Sequence, residues 1–212
     1  MVKIVIFFKR KPGMSVEAFR RHWGDSHARL VEKLPGLRRY VQNHVLTETY
    51  AKGEPAFDGV AESSFDDTQA MKDLARTPFY AEVLADEPKF IDRASMGSII
   101  TEERVIKDGP APAGGVKRIR FVARQAQVPV DEFFSRFLEH GARCAQAAQV
   151  RRYVQCHCRR AIYDSGRTPA FDGAAMSWYD DLKALNATRE PELTVAARAP
   201  LMLVSERVVS IP

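Results

Sequence analysis

Arg38-Arg39-Tyr40-Val41-Gln42-Asn43-His44 returns 113 residues later as Arg151-Arg152-Tyr153-Val154-Gln155-Cys156-His157. A second echo keeps the order: Pro55-Ala56-Phe57-Asp58-Gly59 returns as Pro169-Ala170-Phe171-Asp172-Gly173, 114 residues on. Two ordered matches at nearly one spacing identify a duplicated domain. The 212 residues then divide into halves of ordinary small-domain size. The first half is placed at residues 1–107 and the second at 116–212. Residues 108–115 between them, rich in Gly, Pro and Ala, have linker chemistry.

Each copy reads as the same series of elements. Val2–Phe8 is a short β-branched run ending at Pro12-Gly13, a strand into a turn. Ser15 is a fair helix N-cap, and Val16 to Leu34 follows as a helix stopped by Pro35-Gly36. Strands are expected at Arg38–Leu46, Gly59–Phe65 and Ile99–Ile106, with helical segments near Asp67–Leu74 and Pro78–Phe90. The second copy repeats this order, but its region between third and fourth strands is about ten residues shorter. The pattern βαββαβ is the ferredoxin-like unit. A sheet covered by helices on one face must bury the other face, and the sister copy is the nearest partner. The expected fold class is therefore α+β: two ferredoxin-like repeats pairing their sheets into an intramolecular α+β barrel, a pseudo-dimer within one chain. Whether whole chains assemble further as a homo-oligomer is open at this point.

Composition excludes several classes. The net charge is +5, from 32 basic and 27 acidic residues that are interspersed, not gathered in a stripe. With no aromatic RNP1 pattern, the chain is read as not binding nucleic acid. No apolar run approaches a membrane span and no leader is visible, so no membrane partner and a cytoplasmic location are expected. Three cysteines make no disulfide framework, and Cys156-His157-Cys158 alternates its ligand types onto opposite strand faces, which suits core thiols better than zinc. No metal and no cofactor are expected.

The chemistry-bearing residue stands on the first helix. At 3.6 residues per turn, Val16, Phe19, Trp23, Leu30, Val31 and Leu34 form an apolar stripe, and His27 falls inside it while His22 falls outside, towards solvent. A buried imidazole needs a partner or a purpose. In the second copy Val130, Phe133, Phe137, Cys144 and Ala148 rebuild the stripe, and Gly141 takes the His27 position, with His140 beside it. His27 is accordingly the candidate general acid or base, a role worth roughly 10²–10⁴-fold in rate. The candidate substrate-binding residues are Phe19 and Trp23 as an apolar wall, and Tyr40, Gln42 and His44, which alternate along one strand face. Because Tyr153, Gln155 and His157 repeat that row, a scaffold role competes with a binding role, most strongly for His44.

Phe8-Lys9-Arg10-Lys11-Pro12-Gly13-Met14-Ser15-Val16-Glu17-Ala18-Phe19, then His22-Trp23 and His27, then Leu34-Pro35-Gly36-Leu37 into the repeated strand, resemble the EthD family of the dimeric α+β barrel group. Glu87 and Phe90-Ile91-Asp92 resemble its late helical region. The resemblance implies a pocket between sheet and helices and a cofactor-independent enzyme of proton-transfer or monooxygenase type. Its substrate would be a small aromatic, ether-pathway or polyketide-like compound. The rival reading is a non-catalytic ligand-binding or accessory module of an ether-degrading oxidoreductase system. Some more distant barrel relatives bind heme. The second copy, lacking the helix histidine and part of its helical layer, is expected to be degenerate.

Overall fold

The structure is a computed structural model in which residues 1–211 are described. The chain resolves into two compact units, Met1–Ile100 with Glu206–Pro212, and Thr101–Ser205. Both are mixed α+β and both have ferredoxin-like strand order. Among the described residues no helix is long and apolar enough to cross a membrane.

In the first unit, strands β1 (Val2–Arg10), β2 (Leu37–Val45), β3 (Gly59–Phe65) and the start of β4 (Ile91–Lys107) hydrogen-bond in the order β4-β1-β3-β2. Antiparallel register sets Ile4 and Tyr40 against Ser63, Ile6 and Gln42 against Ala61, and Phe8 and His44 against Gly59. Residues directly opposite share a face. Ile4, Ile6, Phe8, Tyr40, Gln42 and His44 therefore look the same way, towards the helices. β4 begins eight residues earlier than the sequence suggested and runs through Gly97. That glycine lies flat under Phe7, where an added Cβ would stand 2.4 Å from the ring.

The helical layer of this unit departs from expectation where it matters most. Ser15 caps α1 (Val16–Arg21) by accepting the Ala18 N–H. The helix then widens into a π-turn, His22–His27, before α2 (Ala28–Val31). A short α3 (Thr47–Tyr50) follows β2, and Asp67 caps α4 (Thr68–Leu74). Thr77 caps α5 (Pro78–Asp86), which tightens into a 3₁₀ turn at Glu87–Lys89.

The second unit repeats the scheme with β5 (Val116–Arg124), α6 (Val130–Ala145), β6 (Arg152–Cys158), α7 (Arg160–Asp164), β7 (Gly173–Tyr179), α8 (Leu182–Asn186), a two-residue β8 (Ala196–Ala197) and β9 (Leu201–Val209). Its sheet order is β9-β5-β7-β6, and Thr101–Lys107 of β4 adds to β6. Here α6 is a regular α-helix, and a loop after α8 stands where α5 does in the first unit.

The two copies also keep one anchoring device. Asp58 accepts the Arg10 backbone N–H and the Tyr50 hydroxyl, and Asp172 accepts the Arg124 N–H and the Tyr163 hydroxyl. Gly59 and Gly173 follow them because a side chain would strike Phe8 and Trp23 in one copy and the Cys156 carbonyl in the other. These residues hold β3 and β7 in place.

Candidate functional site

A cavity of about 340 Å³ lies in the first unit between the helix-facing side of the sheet and the helical layer. Ile4, Ile6 and Phe8 of β1, Tyr40 of β2, and Ala61, Ser63 and Phe65 of β3 form its floor. Trp23, His27, Val31 and Leu34 close one side, and Met71, Leu74, Tyr80, Val83 and Glu87 the other. Most of this wall is apolar, so the few polar groups in it stand out.

His27 is 5 % exposed and lines the cavity. Its Nδ1 lies 3.0 Å from Asp86 Oδ2. His22 comes to the same carboxylate, with Nε2 3.1 Å from Oδ1 and 3.0 Å from Oδ2, and Lys89 Nζ stands 3.1 Å from Oδ1. The Phe90 ring lies against both imidazoles, at centroid distances of 5.0 Å and 4.8 Å. The expectation that His22 is solvated is corrected here. The wheel assumed a uniform α-helix, whereas the π-turn adds a residue per turn and brings positions five apart onto one side.

The electrostatics assign the protons. Burial pulls the Asp86 carboxyl up, but hydrogen bonds from His22, His27 and Lys89 together outweigh it and hold Asp86 below its ordinary value. Asp86 is thus a carboxylate that only accepts, so Nδ1 of His27 carries the proton. Burial pushes His27 itself below its ordinary value, opposed by the Asp86 hydrogen bond and charge. The ring is neutral near pH 7 with Nδ1–H fixed on Asp86, and Nε2 is the nitrogen left with a lone pair.

Glu87 moves the other way. It is 7 % exposed, lines the cavity, and its Oε2 makes no hydrogen bond among the described residues, with Arg93 Nε 3.7 Å away. Burial raises its pKa, Arg93 opposes, and the Asp86 charge adds to the rise. Tyr40 accepts a hydrogen bond from Trp23 Nε1 at 3.0 Å, which leaves its own proton to give. Burial lifts that hydroxyl to about 12. One wall therefore offers a base and the sheet offers a donor in Tyr40, the separation that acid–base chemistry requires.

Of the residues singled out in the sequence, His27, Trp23 and Tyr40 line the cavity, and Phe19, Gln42 and His44 do not. Phe19 sits one layer behind, packed on Phe8, Trp23 and Phe90. Gln42 is fully buried and spends its amide on the Trp23 carbonyl at 2.7 Å, a bond that holds the π-turn to the sheet. His44 lies beneath Trp23, ring centroids 4.5 Å apart, and burial holds it down to about 4. Asp86 and Glu87 were not identified as site residues from sequence. They stand 59 and 60 positions from His27, at the end of a helix whose own pattern is unremarkable.

The second copy also needs correcting. Val16 matches Val130 at an offset of 114, but Arg38 matches Arg151 at 113. The first repeat's helix therefore carries one extra residue, and the π-turn absorbs it. Beyond that point His27 matches His140, and Gly141 matches Ala28. The histidine is retained in both copies, whereas the carboxylate partner is not. His140 Nε2 donates to the Pro191 carbonyl at 2.9 Å, and Cys144 Sγ lies 3.6 Å from the ring. All three cysteines are free and buried, and among the described residues no group of side chains could hold a metal ion.

Comparison with known proteins places this geometry. An anthrone oxidase-like protein superposes with a TM-score of 0.67 at 13 % identity, covering 98 % of this chain and 92 % of that one. A candidate monooxygenase from Lactobacillus acidophilus NCFM gives 0.60 at 9 % identity, covering 99 % and 95 %. At such identities the likeness shows the fold, and it extends over both repeats. An ethyl tert-butyl ether D (EthD) family protein from Bacillus halodurans C-125 is 30 % identical over 49 % of this chain and 99 % of its own length, with a TM-score of 0.41. The sequence profile of the EthD domain matches residues 11–94, the stretch that holds the π-turn, both histidines, Asp86 and Glu87. The chain belongs to the EthD family.

Proposed function

We propose that the first unit is a cofactor-independent acid–base catalyst for a small, flat, largely apolar compound with an acidic C–H or O–H, such as a phenol or cyclic ketone. His27 Nε2 takes the proton. The electron pair of the broken C–H bond moves into the adjoining carbonyl, and the oxygen that gains charge accepts a hydrogen bond from Tyr40. Asp86 keeps His27 in the tautomer that makes Nε2 the base, and steadies the imidazolium that forms. The single observation that carries this reading is the His27–Asp86 pair set into an apolar cavity that the Tyr40 hydroxyl also lines.

The enolate so formed has two exits. Reprotonation at another carbon gives isomerisation, and expulsion of a β-hydroxyl, which takes up the proton and leaves as water, gives dehydration. Reaction with dioxygen gives oxidation without a cofactor, and the fold shared with an anthrone oxidase-like protein and a candidate monooxygenase supports this branch. For an anthrone the step balances: one oxygen atom becomes the new carbonyl and the other leaves as water with the two methylene hydrogens. The cavity lies at the small end of the ~300–1,000 Å³ range of ligand pockets, which suits two or three fused rings better than a macrocycle.

Anthrone supplies the test. Under nitrogen in heavy water, the protein should speed exchange of the methylene hydrogens, and in air it should consume dioxygen and release the quinone. His27→Ala should lose both. Equal exchange rates with wild type and His27→Ala would overturn the catalytic role, and saturable binding with no exchange would favour the accessory, ligand-binding reading instead.

A further inference from the structure

The wall that is apolar in the first unit is charged in the second. At the offset of 114, Ile4 and Ile6 become Arg118 and Arg120, and Phe65 becomes Tyr179. Arg118 is 6 % exposed. Its Nη2 donates to the Tyr179 hydroxyl and to Glu190 Oε1, and its buried Nε makes no hydrogen bond among the described residues. Arg120 donates to Glu190 Oε2 from Nε at 3.0 Å and from Nη2 at 2.6 Å. Glu190 thus places one carboxylate oxygen on each guanidinium. It comes from the stretch 187–200, whose regular structure is the two-residue β8. Beside this cluster lies a cavity of about 330 Å³ bounded by Arg120, His140, Glu190, Leu193 and Ala196.

Two arginines set into a sheet to hold one loop carboxylate are a poor stabilising device. A buried ion pair seldom outperforms apolar packing of similar volume, and the first unit uses apolar residues at both positions. Paired guanidinium groups are, on the other hand, well matched to a planar anion with two acceptor oxygens. A spare donor on Arg118 and an adjoining cavity add what a larger ligand would use. We propose that the second unit is a binding site for a small carboxylate-bearing molecule, which replaces Glu190 between Arg118 and Arg120 while the rest of the molecule occupies the adjoining cavity. Glu190 is the built-in competitor that keeps the two charges paired when the ligand is absent.

Calorimetric titration of the full chain with benzoate tests this, with inorganic phosphate as the second arm. A tethered carboxylate competes at an effective concentration in the millimolar range or above, so Glu190→Ala should bind benzoate on the order of 10-fold more tightly than wild type. The Glu190→Ala, Arg120→Ala double variant should lose that gain. In the wild-type protein, saturating benzoate should speed amide hydrogen exchange in residues 187–193 as the loop leaves. Where Glu190→Ala does not fold, Glu190→Gln keeps the side-chain volume, removes the competing charge and carries the same expectation. Benzoate binding no tighter in either variant than in wild type, or unchanged in the double variant, would overturn the proposal. Phosphate binding tighter than benzoate would overturn its assignment to carboxylates.

Discussion

The same strand positions are filled with Ile4 and Ile6 in one unit and with Arg118 and Arg120 in the other. The first pair leaves an apolar cavity under a helix that carries a π-turn. The second pair fills the corresponding region with an ion cluster under a regular α-helix. The histidine is common to both, His27 and His140, so the imidazole alone does not make the difference. What separates the copies is the company it keeps. In the first, α5 delivers Asp86 and Glu87, and in the second the loop that replaces α5 delivers Glu190 and the Pro191 carbonyl. A duplicated fold has kept its anchors, such as Asp58 and Asp172, and changed the lining between them.

The largest effect expected of any single change is on catalysis. His27→Ala should lower proton exchange by roughly 10²–10⁴-fold, while His140→Ala should leave it unaltered. Equal losses would mean that the copies do not differ as described. A sharper variant deletes the exposed Ser26, which returns the first helix to the residue count of the second. Cooperative unfolding should persist, but the two histidines should no longer both reach Asp86, and exchange should fall to the His27→Ala level.

Stability effects follow. Glu190→Ala strands Arg118 and Arg120, and should cost about 2–3 kcal/mol, below the range for fully buried pairs because Arg120 is one-third exposed. Urea unfolding gives the number. The equivalent pair His44 and His157 should instead behave alike. Burial holds each at about 4, against roughly 6.5 in an unfolded chain. The unfolded state therefore binds more protons through this window, so their contribution is full above about pH 6.5 and is lost as pH falls towards 4. Replacing either by Asn should flatten the acid limb of stability against pH. The smallest effect is expected of Gln42→Ala and Gln155→Ala, each removing one buried bond to a helix carbonyl, Trp23 or Phe137, at about 1–3 kcal/mol.

Much of this comparison could be read in the sequence, and the part that could not has a physical cause. The repeat, the strand order and the inward face of His27 follow from periodicities of two and 3.6 residues, which are local. The π-turn breaks the second periodicity, which is why His22 was placed in solvent. A signal for it was present: the offset between copies falls from 114 at Val16 to 113 at Arg38, so one residue must be extra within that helix. Asp86 and Glu87 left no such trace, since their roles arise only when α5 is packed over His27. Gln42 and His44 share the helix-facing side of the sheet but do not line the cavity, for a related reason. Strand alternation gives the face of a residue, but not whether Trp23 lies between it and the cavity.

The central claim is that His27 is a neutral base with its proton held on Nδ1 by Asp86. Long-range nitrogen–proton correlation spectra of ¹⁵N-histidine-labelled protein near pH 7 test it directly. The account predicts a protonated Nδ1 and an unprotonated Nε2, with Asp86→Asn disturbing that ratio and the ring charging only below its ordinary value of about 6.5. A proton found on Nε2, or a ring still charged at pH 7, would contradict it.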